Sequence, residues 1–192
     1  METWTVKRDE CIYTSCYCEE NIWKLCESWK QNDPNHLDNL YAVFISNERR
    51  QIPIWKQKSG YNDYPVTWVL YFLQYQIDQS VSPTIIYDFD STLPFPVSAR
   101  DYLQSAIRDE INLSRKFHRM FRVIPAQEYL NTFASDRSHM LSADKITYNK
   151  PPPSYPAIFN EKSTNNINDF IDMKSKTGPG TVMNLTEFRE FL

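Results

Sequence analysis

Glycine is scarce in this chain, with only 3 in 192 residues, and no G-x-G-x-x-G or G-x-x-x-x-G-K run occurs. That sets aside the loops that cradle nucleotide phosphates, which need glycine for close backbone approach. Basic charge is not in excess either. The 21 Lys and Arg are outnumbered by 24 Asp and Glu, the net charge is −3, and no basic stripe is present. Nucleic acid is therefore not an expected partner. No apolar run is long enough to span a bilayer, so no membrane association is expected. The first residues, Met1 to Asp9, lack the apolar centre of a secretory signal. The expected setting is the cytoplasm and nucleus, where thiols stay reduced. Cysteines number 4, at Cys11, Cys16, Cys18 and Cys26. Their C-x4-C-x-C-x7-C spacing fits neither paired C-x-x-C knuckles nor a Cys/His finger, so no zinc site is expected.

What the chain does have is aromatic mass, 15% of its residues. A disordered chain is poor in such residues, and this length suits one domain, residues 1–192, with a substantial core. From Cys18 the apolar positions Ile22, Leu25, Cys26 and Trp29 recur at i, i+3, i+4 and i+7, one face of a helix. Tyr41 to Ser46 is β-prone, and Gln51 to Lys56 can return as its hairpin partner, with Pro53 marking an edge or irregularity. Val66 to Tyr75 reads as one buried strand, and Thr84 to Asp88 as another after a loop from Asp78 to Pro83. Ser98 with Asp101 resembles a capping box opening a helix through Tyr102 and Ile107. Phe121 to Ile124 reads as a strand and Ala126 to Phe133 as a short helix. The chain is then loop-rich from Ser135 to Ser175, and Asn184 with Glu187 caps a last helix, Leu185 to Leu192. Successive strands without long helices between them predict an α+β fold, an antiparallel sheet with flanking helices. With no extended apolar stripe left outside the core, a monomer is the default.

The residues that carry chemistry lie near the first helix. A helix start offers unpaired N–H groups and the positive end of the backbone dipole, and both favour a thiolate. Cys18 is therefore the candidate nucleophile, with a small buried core residue as the plainer alternative. Asp88 closes an apolar strand, where a carboxylate is costly without a partner, so it is the candidate orienting group; a strand-end turn former is its plainer reading. The histidines are His36, in a solvated turn, His118, among surface cations, and His139, in a polar loop; each is first an ordinary histidine.

Tyr17-Cys18-Glu19-Glu20-Asn21-Ile22-Trp23-Lys24-Leu25-Cys26 resembles the signature of the protein N-terminal glutamine amidohydrolase family. The likeness runs on through Tyr41 to Glu48, Pro53 to Gln57, Ile86 to Asp90, Leu93 to Pro96, Phe121 to Ile124, Phe133 to Met140 and Pro151 to Pro156, in order over nearly the whole chain. The resemblance implies a papain-like/transglutaminase-like cysteine hydrolase core. It implies a Cys-His-Asp triad in which Cys18 is the nucleophile and Asp88 the aspartate. It also implies a reaction, deamidation of an N-terminal Gln of proteins or peptides to Glu with release of ammonia, needing no metal or organic cofactor and feeding the N-degron pathway. The partners would be chains with a free N-terminal Gln. The family's histidine sits in a Trp-Asp-Tyr-His segment, and here the sequence departs: Trp68 is followed by Val69-Leu70-Tyr71-Phe72. Without a gap Tyr71 takes the histidine position. With a gap Asp-Tyr-His is dropped after Trp68, by a deletion or a mis-set exon boundary, and the apolar strand continues, which is the preferred alignment. Two function classes follow: a thiol amidohydrolase, or a catalytically impaired relative that only binds N-terminal Gln. In a third arrangement His139 reaches the Cys18 sulfur and acts as base. The ammonium-binding candidates are Glu19, Glu20 and Asp90, with a surface or helix-start role as the plainer and preferred reading of each.

Overall fold

The structure is a computed structural model that describes residues 6–68, 71–76 (backbone only), 84–175 and 177–192. The sequence departure at Val69 and Leu70, and the whole of the loop expected from Asp78 to Pro83, lie outside the described residues.

The chain folds as a mixed α+β structure around an antiparallel sheet. The strands are β1 (Leu40–Ser46), β2 (Ile52–Ile54), β3 (Val66–Trp68), β4 (Tyr71–Gln76), β5 (Ile85–Tyr87), β6 (Val97–Ser98), β7 (Met120–Pro125) and β8 (Thr181–Asn184). Six of them form the main sheet in the order β6-β5-β4-β1-β7-β8, and β2 pairs with β3 in a separate two-stranded ribbon. The helices are α1 (Cys18–Asn32), α2 (Ala99–Tyr102, continuing as a wider turn through Leu103–Ile107), α3 (Ala126–Thr132), α4 (Ile167–Ile171) and α5 (Leu185–Phe191).

β1 lies at the centre and is covered on both faces, which is why it reads as an unbroken apolar run rather than an alternating one. Leu40, Ala42 and Phe44 point into a cluster with Ile22, Leu25, Trp29, Tyr129 and Phe170 from α1, α3 and α4. Val43 and Ile45 point into a second cluster with Tyr102, Ile107, Leu185 and Phe188 from α2 and α5. The four apolar positions predicted to line one face of α1 are all buried, and Trp29 meets Tyr87 of β5 edge-on, with ring centroids 6.3 Å apart. Burial on this scale holds α1 against the sheet; truncating a fully buried Trp typically costs about 3–5 kcal/mol.

Two strand expectations need correction. The segment after β1 does not return as its hairpin partner. Both edges of β1 are taken, by β4 and β7. The Asn47 side chain ties the turn instead, accepting from the Arg49 and Gln51 amides and donating to the Gln51 carbonyl. Pro53 has no N–H for an interior ladder, and β2 pairs with β3 alone. The Val66 to Tyr75 run is also not one strand: β3 ends at Trp68 in the ribbon and β4 begins at Tyr71 in the main sheet. β8 was not expected. It is led in by Gly180, whose φ is +63° and where a Cβ would come within 2.2 Å of the Val123 carbonyl oxygen, so only glycine fits beside β7. The Asn184–Glu187 capping box is present as expected, with Asn184 Oδ1 accepting from the Thr186 and Glu187 amides and Glu187 accepting from the Asn184 N–H.

Candidate functional site

Cys18 is the first residue of α1. The loop before it is fixed by Asn21, one turn into the helix. Asn21 Oδ1 accepts from the Thr14 N–H (2.8 Å) and Asn21 Nδ2 donates to the Thr14 carbonyl (2.9 Å). Cys16 takes φ +70° between them. Tyr129 of α3 donates its hydroxyl to the Glu19 carbonyl at 3.0 Å. Glu20, fully buried, forms a two-pronged ion pair with Arg137, both bonds 2.8 Å. Arg137 also donates to the carbonyls of Pro153, Tyr155 and Pro156. One guanidinium thus joins the first turn of α1, the 135–140 loop and the proline-rich segment.

Asp88 follows β5 and is buried. Its Oδ1 accepts from the Asp90 N–H (2.9 Å) and the Ser91 N–H (3.1 Å); its Oδ2 accepts from the Tyr102 hydroxyl (2.7 Å) and, at 3.5 Å, from Gln57 Nε2. The buried carboxylate is therefore well satisfied, as its burial requires. Asp90 is the acid that the thiol touches: Cys18 Sγ donates to Asp90 Oδ2 at 3.4 Å, and the Tyr13 hydroxyl donates to Asp90 Oδ1 at 2.7 Å.

The electrostatics reverse the expectation drawn from the helix start. Burial pushes the Cys18 thiol well above its ordinary pKa, and the charges of Asp90, Glu19 and Asp88 add to the rise. A helix terminus supplies only about half a positive charge, and three carboxylates with desolvation outweigh it. The neutral thiol is the stable form here.

Cys18 and Glu19 line a cleft of about 640 Å³ with Arg50, Thr67, Trp68, Ser138, His139 and the apolar Ile167 and Ile171 of α4. Asp88 and Asp90 are outside that lining. His139 does reach the cleft, as its loop position allowed, but its Nε2 lies 3.1 Å from Glu19 Oε1 and the ring makes no hydrogen bond with the Cys18 sulfur among the described residues. Burial disfavours the charged ring, but Glu19, Glu20 and Asp136 more than offset it and the His139 pKa rises. His36, expected to be solvated, is half-buried and pairs with Asp33 at 2.7 Å. His118, expected among surface cations, is half-buried beside the buried Arg119, and its Nε2 meets the Leu113 carbonyl at 3.1 Å. Among the described residues no group of three or more His, Cys, Asp or Glu side chains is arranged to hold a metal ion, and no helix is long and apolar enough to cross a membrane.

The structure thus brings Cys18 and Asp88 to one region and links them through Asp90. Sequence reasoning missed three positioning residues. Tyr102 looked like one more apolar position of a helix, Gln57 like loop polarity, and Asn21 like an ordinary helical residue. The Asn21 bond to Thr14 has a signal in retrospect, an amide at the fourth helical residue after a loop that must be held.

A match to the N-terminal glutamine amidase family covers residues 13–192. A bovine (Bos taurus) protein N-terminal glutamine amidohydrolase is 48% identical over 181 residues, covering 94% of this chain and 86% of the relative. The human (Homo sapiens) protein of the same name is 48% identical over 94% of this chain and 87% of its own length. The zebrafish (Danio rerio) one is 46% identical over 96% and 90%. With this coverage, and with the thiol and carboxylates gathered at the head of α1, the chain belongs to the protein N-terminal glutamine amidohydrolase family.

Proposed function

We propose that this chain deamidates the side chain of an N-terminal Gln in proteins or peptides, through Cys18, at a rate limited by the absence of an imidazole base. The observation that carries the reading is Cys18 itself, the first residue of α1, lining the cleft and hydrogen-bonded to Asp90 Oδ2 at 3.4 Å. A nucleophile at a helix start packed on an antiparallel sheet, with an aspartate from a neighbouring strand, is the arrangement of papain-like and transglutaminase-like hydrolases. Residues 1–192 serve it as one domain.

In the reaction, the Cys18 sulfur bonds to the side-chain amide carbon and backbone N–H groups hold the oxyanion that forms. The C–N bond breaks as the nitrogen takes a proton and leaves as ammonia. Water then cleaves the thioester, giving Glu and restoring the thiol. In this chain the thiol proton has the Asp90 carboxylate as its hydrogen-bond acceptor, and a carboxylate is a weak base toward a thiol. Asp88 positions the site through Asp90, whose N–H it holds. No cofactor takes part. The product, an acidic N-terminus, suits the N-degron pathway of the cytoplasm and nucleus, and the protein acts as a monomer.

The raised thiol pKa and the lack of a hydrogen bond from any histidine to the Cys18 sulfur among the described residues favour a second reading, in which the chain binds N-terminal Gln without turning it over. Ammonia release from a Gln-initiated peptide separates the two. The expected order is Cys18→Ala lowest, the chain itself slow but above it, and a variant with Asp-Tyr-His inserted after Trp68 faster by about 10⁴-fold or more. Equal release from the chain and Cys18→Ala leaves only the binding reading. An insertion variant no faster than the chain refutes the missing-base account.

A further inference from the structure

Four carboxylates surround the head of α1, and three are committed. Glu20 gives both oxygens to Arg137 at 2.8 Å. Asp90 accepts from Tyr13 and Cys18. Asp88 accepts from Tyr102 and from two backbone amides. Glu19 differs. It is buried to 4% exposure and lines the cleft, yet among the described residues its Oε1 receives no directed hydrogen bond. The His139 ring beside it, at 3.1 Å, is close but poorly aligned. A buried carboxylate oxygen without a well-directed donor is costly to keep unless a ligand supplies one.

We propose that Glu19 receives the α-ammonium of the substrate's first residue, an inference that rests on the functional reading above. In an N-terminal Gln the α-nitrogen and the side-chain amide carbon are four bonds apart, about 4–5 Å. Cys18 and Glu19 are consecutive, and both line the cleft, so one substrate residue can present its amide to the sulfur and its ammonium to the carboxylate. The ammonium supplies the missing donor, and the charge-assisted bond forms where water is largely excluded. An internal Gln or a blocked N-terminus brings no charge and leaves Glu19 with only the poorly aligned His139 ring beside it. Glu19 therefore selects for a free terminus, while the cleft beside Cys18 takes the amide.

The test is binding, so it does not depend on turnover. The Cys18→Ala chain is titrated at pH 7 against a Gln-initiated peptide labelled at its C-terminus, and against the same peptide acetylated at its α-nitrogen. The free peptide is expected to bind tighter by about 10- to 100-fold. Glu19→Gln in that background is expected to erase the preference, and Glu19→Asp to keep part of it. Equal binding of the two peptides by the chain that retains Glu19 overturns the proposal, as does a preference that survives Glu19→Gln. If Glu19→Gln does not fold, the first comparison and Glu19→Asp decide. Failure to bind either peptide refutes the functional reading itself.

Discussion

Replacing Arg137 with methionine strands Glu20. In the native structure the guanidinium and the carboxylate meet through two 2.8 Å bonds, with the Glu20 side chain at 0% and the Arg137 side chain at 8% exposure. The Glu20 carboxylate holds the guanidinium pKa above its ordinary value. Removing one member of a buried ion pair typically costs about 3–5 kcal/mol, because the other charge stays buried without compensation. Three carbonyls, of Pro153, Tyr155 and Pro156, lose a donor as well. Against a total stability of about 5–15 kcal/mol, that is a large fraction. Arg137→Met should therefore lower the urea midpoint by an amount equivalent to about 3–5 kcal/mol at pH 7. The sign of the pH dependence is fixed too. An unpaired buried carboxyl has a folded pKa raised above its unfolded value of about 4.3. The stability this adds is present below that value and is lost as pH rises through the folded pKa. The deficit of Arg137→Met should accordingly shrink near pH 4.5, and Glu20→Gln added to it should recover part of the loss at pH 7. A loss under about 1 kcal/mol, or one that neither acid nor the second substitution reduces, refutes the reasoning.

The thiol and the cleft histidine give two more expectations. Cys18 should react with iodoacetamide more slowly than a free cysteine at pH 7, with a rate still climbing above pH 9, and Asp90→Asn should speed it by removing the largest of the charges that hold its pKa up; mass-mapped alkylation over pH reads this, and fast labelling of Cys18 at neutral pH would contradict it. His139 has a folded pKa raised above its unfolded value of about 6.5. Its contribution to stability should be complete below that pH and fade as pH rises through the folded value, so the stability difference between the chain and His139→Gln should narrow on going from pH 6 to pH 9 in parallel denaturation series. A difference that widens over that range would show the ring to be unpaired.

Much of the fold was legible where local pattern and burial agree. Ile22, Leu25, Cys26 and Trp29 mark a helix face by their spacing alone, and all four are buried. Asn184 and Glu187 announce a helix start with their own hydrogen bonds. The Val66 to Tyr75 run misled because apolar character continues across Trp68 while the pairing partner changes, and partner choice is a long-range property. β8 was hidden because its residues are half-exposed or exposed and only Gly180, by its backbone, shows that the chain must pass close to β7. At the site, the identity of Cys18 and Asp88 as candidates could be read from position and from family likeness, but the charge state of the sulfur could not. It is set first by burial of the thiol and then by Asp90, which reaches the sulfur only when the segment after β5 and the head of α1 are brought together.

Trp68 closes the ribbon and Tyr71 opens the main sheet, so the point where the sequence departs from the family resemblance falls at a suture between two separately paired ladders. Residues lost from a suture do not slide either ladder out of step: Ile45 still faces Tyr71 on one side and Ile52 still faces Trp68 on the other. On the function proposed above, a short change of length at this suture can therefore remove or restore an imidazole while both ladders keep their step.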